Sequence, residues 1–448
     1  MIASSAIKDQ NLCKKLHSLT EHDSEYWSFK NDSRREYGHG MFQYPAMMVP
    51  QLARAILNGV CAVHPEIKTV GDPFLGSGTV MTEAMFQGLN FFGTDINPLS
   101  ILIAKVKKGP FFTSSLKGKI EDIKIRIYSD KSNEVSVYFQ NIDKWFERNT
   151  QISLSKIHRS IKKEESLWAR RFFWLCLADT VKYNNNSRTS TFKLHIRTND
   201  DIEKRTAENN VIGYFMSVVE RNFKIYKLQK EKLYNNGLIY KGKYTNNISL
   251  NIADIRDIGT LSKPCDLIIT SPPYGDNATT VPYGQYSYLP LQWIDLKDID
   301  SSIDNRCLDT TRSIDAASLG GSLKVGTSEI NKLCELSSSF ADYIHKIQDQ
   351  PRDRLQRVSA FFRDLNNSLP PILSILTDNG LMAWTLGNRK VGKKRVPTDR
   401  ILTELLEAHN VNYLCKLERK IPSKRMALKN SVAETISKET IVIMRKRA

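Results

Sequence analysis

Two short stretches carry residue types that chemistry can use. The first is Asp72-Pro73-Phe74-Leu75-Gly76-Ser77-Gly78-Thr79. It lies between an apolar run and a helical pattern, so its glycines fall where a first strand ends and the backbone can approach a ligand closely. Seventeen residues past Gly78 comes Asp95, in Gly93-Thr94-Asp95-Ile96-Asn97, at the tip of the next apolar run. A carboxylate there can accept two hydrogen bonds, which suits the paired hydroxyls of a ribose. Taken alone, this unit fits a NAD or other nucleotide site equally well, and an ordinary tight turn with a surface aspartate is the plain alternative.

The second stretch is Thr270-Ser271-Pro272-Pro273-Tyr274-Gly275, directly after Asp266-Leu267-Ile268-Ile269. Two prolines stiffen the turn and remove two backbone donors. The Ser271 hydroxyl and carbonyls such as that of Pro272 are left as acceptors. An exocyclic amine is a poor nucleophile because its lone pair is delocalised into the ring. Fixed acceptors can hold its two protons and turn the nitrogen towards sp3, aiming the lone pair at a methyl group. Tyr274 offers a flat face for stacking a base, worth about 1–3 kcal/mol. If the methyl donor is a sulfonium, the thioether leaves neutral, and neither a metal nor a covalent nucleophile is needed. A proline-rich surface turn is the bland reading, and a strand tip following a nucleotide-type unit argues against it.

The elements that must position these turns follow from periodicity. Lys68–Phe74 reads as a strand, Thr79–Gln87 as a helix and Asn90–Asp95 as a second strand, one βαβ unit with a right-handed crossover. Pro98–Lys107 is the next helix. Upstream, residues 1–38 are polar and expected to be an arm with little core of its own. A helical stretch after Pro45 carries Met48, Leu52, Ile56 and Val60 at i, i+4 spacing. Residues 108–245 then interrupt the alternation with a long, basic, helical insertion, a candidate DNA-binding and target-recognition unit. Between positions 151 and 230 it holds 16 Lys and Arg against 8 Asp and Glu. Strand patterns resume at Asn246–Ile252 and Asp266–Ser271. Residues 295–351, rich in Ser, Asp and Gly, read as a second insertion and a second candidate for target recognition. A helix over Arg352–Leu376 follows, which Pro370-Pro371 should kink or break. A strand (Leu381–Leu386), a helix (Asp399–Ala408) and strands at Val411–Glu418 and Glu439–Met444 complete a core made of residues 39–107, 246–294 and 352–448.

Together, Asp-Pro-Phe-x-Gly-Ser-Gly-Thr and Ser-Pro-Pro-Tyr resemble the amino-methylating DNA methyltransferases of restriction-modification systems. The resemblance runs from about residue 39 to 446. It implies a doubly wound, mostly parallel seven-stranded α/β sheet with its last strand antiparallel. It also implies that S-adenosylmethionine binds at Asp72, Phe74, Gly76, Ser77, Gly78, Thr79, Asp95 and Ile96, and that Ser271, Pro272, Pro273 and Tyr274 are catalytic. A Ser in first position resembles the N4-cytosine members, whereas Asp or Asn is commoner in N6-adenine members, so adenine stays open. His39-Gly40-Met41-Phe42-Gln43-Tyr44-Pro45-Ala46-Met47 resembles the family's N-terminal cofactor motif, with Tyr44 and Pro45 beside the methionine moiety. Asp254 stands where the family contacts the adenine. An RNA guanine methyltransferase and an inactive DNA-binding scaffold are the rival readings. The chain departs from the compact pattern in its two insertions.

The net charge of +17 over 448 residues favours a polyanionic partner. Duplex DNA is the expected one, a cognate restriction endonuclease is a candidate partner, and the oligomeric state is not legible. Candidate DNA contacts are Arg188 and Lys193, then Tyr283 and Tyr286, then Arg389, Lys390, Lys393, Lys394 and Arg395, and finally Lys424 and Arg425. Each charge run has a solvated face as its alternative. No metal site is expected, since the seven cysteines form no CxxC pair and His39 and His195 have no ligand spacing. Pro264-Cys265 precedes its strand, so Cys265 reads as structural. The start of the chain lacks a signal-peptide core and no window approaches 18 apolar residues, so a soluble cytoplasmic protein outside membranes is expected.

Overall fold

Seven apolar strands, with side chains buried on alternate sides, build the centre of the molecule. The computed structural model describes residues 2–21, 23–188, 191–208, 210–258, 264–421 and 436–447. The strands are β1 (Thr69–Asp72), β2 (Asn90–Asp95), β3 (Ile248–Ile252), β4 (Cys265–Thr270), β5 (Leu376–Gly387), β6 (Val411–Lys420) and β7 (Lys438–Lys446). Among the described residues they form one seven-stranded sheet in the order β6-β7-β5-β4-β1-β2-β3. Only β7 runs against its neighbours; the other pairings are parallel. The chain order reverses between β1 and β4, which is where an open α/β sheet leaves a crevice.

The twofold alternation of the strands is read directly in the core. Leu267, Ile269, Leu381, Ala383, Ile441 and Ile443 pack into one layer, and Ile268, Met382, Trp384, Val442 and Met444 into the other. Each large apolar side chain buried this way contributes roughly 1.5–3 kcal/mol relative to exposure. The first layer is completed by α1 (Ile2–Ser18), α2 (Pro50–Val63), α3 (Thr79–Phe86) and α4 (Pro98–Lys107), together with helices of the basic insertion. These are α5 (Thr113–Ser129), α6 (Arg148–Lys162), α7 (Leu167–Asn184) and α8 (Val211–Asn235). After the Ser271–Tyr274 turn comes α9 (Tyr283–Gln292). The second layer is covered by α10 (Arg352–Ser374) and α11 (Thr398–Ala408). No helix among the described residues is long and apolar enough to cross a membrane.

Two expectations meet a different structure. Residues 1–38 are no loose arm: Leu12 and Leu16 of α1 are fully buried, Trp27 is 2% exposed, and Asp9 pairs with Arg445 of β7. A single pair of apolar residues at i, i+4 in a polar helix was too weak a pattern to show this. Helix α10 continues through Pro370-Pro371 to Ser374. Only about one turn remains beyond them, so the two lost N–H donors leave just the Asn366 and Asn367 carbonyls without their helical partners. The basic insertion is fused to the core, with Phe172, Phe173 and Trp174 of α7 and Phe215 of α8 buried. Part of its charge is spent internally, in Arg159–Asp130 at 2.9 Å, Arg170–Asp298 at 2.7 Å and Arg221–Asp179 at 2.8 Å.

Candidate active site

The turns after β1 and β4 lie side by side at the carboxyl end of the sheet. Their strand tips are joined by the Thr270 hydroxyl, which donates to Asp72 Oδ1 at 2.7 Å. Burial pushes the Asp72 carboxyl up to about 7. Beyond it, Gly76 and Gly78 adopt φ of 51° and 70°, a region that favours glycine, and the chain enters α3. The Gly76 N–H donates to Asp95 Oδ2 at 2.8 Å, and Asp95 also accepts from the Asn97 N–H at 2.8 Å and the Ser100 hydroxyl at 2.9 Å. Three of its roughly four acceptor positions are thus taken, and burial raises its pKa. Asn97 caps α4 through the Leu99 N–H at 3.1 Å, while its amide donates to Tyr44 Oη at 3.0 Å and Ser287 Oγ at 2.7 Å.

These groups surround a cleft at the carboxyl end of the sheet. Of the residues expected at a cofactor site, Tyr44, Pro45, Asp72, Phe74, Gly76, Ser77, Thr79, Asp95, Ile96 and Asp254 line it. Gly78 lies behind the wall, where a Cβ would stand 3.4 Å from Ala104 of α4. Ser271 and Pro273 line the same cleft, so nucleotide-type turn and amine-holding turn open into one space. Asp254 is engaged by Arg256, whose Nε reaches its Oδ1 at 3.0 Å. Arg256 also donates to the Ala317 carbonyl at 2.7 Å and pairs with Asp364 at 3.2 Å. This clamps residues 314 to 319 of the second insertion as a further wall of the cleft.

Tyr274 is fixed at both ends. A Cβ built on Gly387 would fall 2.4 Å from its ring, so only glycine leaves the ring this place at the end of β5. Its hydroxyl donates to Glu439 Oε1 at 2.9 Å and receives the Ser271 hydroxyl at 3.3 Å. Burial, reinforced by the Glu439 charge, raises the phenol pKa, so it stays protonated. Glu439 is held in turn by Arg419 at 2.7 Å, and Arg419 donates to the Trp27 carbonyl at 3.0 Å.

The family model described as DNA methylase, of the N6/N4 methyltransferases, matches residues 4–106. The chain is 33% identical to the type II methyltransferase M.MvaI of Kocuria varians, over 97% of this chain and 95% of that protein. It belongs to the type II DNA methyltransferases. A second relative, the type II methyltransferase M.MjaII of Methanocaldococcus jannaschii, is 28% identical over 34% of this chain and 28% of its own. Among solved structures, the rRNA methyltransferase aviRa of Streptomyces viridochromogenes covers 90% of this chain and 86% of its own at 11% identity, with a TM-score of 0.32.

The methyl donor of this methyltransferase is S-adenosylmethionine, and the residues present fit it. A glycine turn open to a ligand, a carboxylate at the next strand tip and apolar walls such as Ile96, Ile255 and Leu319 suit a nucleoside. Tyr44, stacked on Tyr283 with ring centroids 5.8 Å apart, adds an aromatic wall for a cationic sulfonium.

Of the residues expected at DNA, the structure brings few to one surface. Arg188, Lys193, Lys393 and Arg395 are exposed. Lys193 Nζ reaches the Ala278 carbonyl at 3.5 Å, four residues past Tyr274. Tyr283 lines the cofactor cleft, and Tyr286 donates to the Gln43 carbonyl. Arg389 is 8% exposed and spends its guanidinium on Asp276 at 3.1 Å and Thr279 at 2.7 Å. It is therefore an internal brace and not a surface cation; the glycine at 275 leaves it room, since a Cβ there would meet it at 2.4 Å. Lys394 pairs with Asp349 at 3.0 Å, and Lys390 sits partly buried beside it in the same hairpin. Lys424 and Arg425 lie outside the described residues. His39 is buried, with Nε2 2.9 Å from Glu83, and serves packing. Cys265 is buried at the start of β4, the opposite end from Ser271.

Several site residues escaped the sequence reading. Asn97 and Ser100 carried a readable helix-start signal, Asn-Pro before an apolar run, which hinted at a cap but not at Asp95. Lys107, whose Nζ donates to the Ser77 carbonyl at 2.7 Å, Asp315 and Glu439 gave no local signal, because their roles arise from contacts across long chain separations.

Proposed function

We propose that this methyltransferase transfers a methyl group to N4 of cytosine in duplex DNA, with the target nucleotide rotated out of the stack. The observation that carries this reading is the Ser271 hydroxyl at the head of the Pro272-Pro273 turn, lining the cofactor cleft. In this reading Asp95 accepts from the ribose through its remaining acceptor position, Tyr44 and Pro45 flank the methionine part, and the Asp254–Arg256 pair borders the adenine. S-adenosylmethionine supplies an electrophilic methyl carried by a sulfonium.

The chain's own residues do the rest. Ser271 Oγ and the Pro272 carbonyl accept the two amine protons and aim the nitrogen lone pair. The Tyr274 ring, held by Gly387 and Glu439, bears the flipped base. The walls around Ser271 exclude water, which strengthens these hydrogen bonds. Exposed Arg188, Lys193, Lys393 and Arg395, with Lys424 and Arg425, hold the phosphates, while loops of the two insertions read base edges. A cognate restriction endonuclease would share the site that these loops read.

The test is mass spectrometry of nucleosides from plasmid DNA, after expression in a methylation-free host, with Ser271→Ala as control. N4-methylcytosine that disappears in the variant is the expected result. N6-methyladenine would keep the residue roles and overturn the base. Absence of both marks would overturn the reading.

A further inference from the structure

The methylated amine must lose a proton, and a chain of three side chains leads away from the position of that amine. Ser271 Oγ lies 3.3 Å from Tyr274 Oη, and Tyr274 Oη lies 2.9 Å from Glu439 Oε1. Each link is a hydroxyl that can accept on one side while donating on the other, and the last is a carboxylate. Arg419, at 2.7 Å from the second Glu439 oxygen, holds that carboxylate in place. We propose that Ser271, Tyr274 and Glu439 form a relay through which the proton leaving the target amine reaches the Glu439 carboxylate.

The inference rests on the amine-methylating reading above and adds what happens to the proton. The nitrogen–methyl bond forms as the sulfur–methyl bond breaks, and the sulfur departs as a neutral thioether. One amine proton moves to Ser271 Oγ as the Ser271 proton moves to Tyr274 Oη and the Tyr274 proton to Glu439. Both hydroxyls are regenerated, one carboxylate becomes a carboxylic acid, and charge balances. Glu439 touches no substrate: it acts through Tyr274 and is a positioning and proton-accepting residue. A serine at the first position of the turn fits this role, since its single hydroxyl accepts from the amine and donates onward at once.

The experiment compares Tyr274→Phe, Glu439→Gln and their double variant in single-turnover methylation of duplex DNA. It is paired with binding constants for S-adenosylmethionine and DNA, and with fluorescence of a 2-aminopurine placed at the target to report base flipping. Phenylalanine keeps the stacking ring and leaves the Glu439–Arg419 pair intact, so that variant should fold even if Glu439→Gln does not. Glutamine keeps a hydrogen-bond acceptor for Tyr274 but removes the capacity to take a proton, together with the charge that pairs with Arg419. The relay predicts that each single change slows methyl transfer about 100-fold, with binding and flipping preserved. The double variant should be no slower than the slower single one, because both cut one path. A Glu439→Gln enzyme at wild-type rate would reduce the carboxylate to an anchor and overturn the relay. Losses that multiply, or that match losses in binding or flipping, would overturn it too. A wild type that methylates no DNA base removes the reading beneath it, whereas an active wild type with fast variants removes the relay alone.

Discussion

Thr270 and Asp72 are 198 positions apart in the chain, yet the threonine hydroxyl donates to the aspartate at 2.7 Å and ties the tip of β4 to the tip of β1. The Asp72 carboxyl is raised from 3.8 to about 7, mainly by burial and, less, by the neighbouring Asp95 charge. A carboxyl whose folded pKa lies above its unfolded value lends stability below the unfolded pKa. It loses that stability as pH climbs through the folded pKa. Wild-type stability relative to Asp72→Asn should therefore fall as pH rises from about 4 to about 7. Denaturant unfolding of both proteins across that range checks it, and parallel curves would show that Asp72 does not titrate there.

Much of this arrangement was legible because it is local. Strand β2 and helix α4 have the bounds that their apolar runs and the Asn97-Pro98 start imply. The two turns follow from glycine and proline, whose backbone constraints act within a few residues. What the sequence hid is long-range. Arg389 sits in a run of basic residues that reads as a phosphate patch, and only packing against Gly275 and Asp276 turns it inward. The polar second insertion reads as a recognition loop, yet Ile314 and Leu319 form a wall of the cofactor cleft. Composition cannot separate those outcomes, because each depends on which distant element supplies the partner.

Ser271→Ala removes an acceptor of the amine without touching Asp95 or the glycine turn. Methyl transfer should fall about 100-fold or more, with S-adenosylmethionine affinity nearly intact. Asp95→Ala should do the reverse first. It leaves the Gly76 and Asn97 N–H groups without their acceptor, and cofactor affinity should drop by about tenfold or more, since a lost charged acceptor is worth roughly 1.5–3 kcal/mol. Calorimetric titration of the cofactor beside single-turnover rates separates the two. Equal loss of binding in both variants would contradict the division of roles.

Two cations that look alike in sequence should behave differently. Arg389→Met leaves Asp276, 1% exposed, with Arg357 at 3.4 Å as its charged partner beside the Thr279 donors, and should destabilise the fold by roughly 3 kcal/mol. At temperatures where it remains folded, the salt dependence of its DNA binding should match wild type. Lys193→Ala, at an exposed position, should leave stability within about 0.5 kcal/mol. It should also flatten the slope of log K against log salt by about 1. Fluorescence anisotropy at several salt concentrations reads the slopes. A flattened slope in Arg389→Met would return that residue to the DNA surface.

The second insertion should matter to the cofactor through one carboxylate. Asp315 accepts the Gly284 N–H at 2.8 Å and the Gln285 N–H at 3.2 Å at the start of α9, and the Asn277 amide at 3.1 Å. It thereby caps a helix that it does not precede in sequence and fixes the Ile314 and Leu319 walls against the turn that follows Tyr274. Alanine at 315 strands two helix donors and frees the wall. S-adenosylmethionine affinity should fall by roughly a factor of ten, for a lost cap and carboxylate together worth about 1–2 kcal/mol. Asparagine keeps an acceptor oxygen without the charge and should recover most of it. Because the cleft lies between Asp95 and this wall, weakened cofactor binding should come with DNA affinity largely preserved. If instead Asp315→Ala lost DNA binding and kept the cofactor, the segment would belong to target recognition and its packing on the cleft would be incidental.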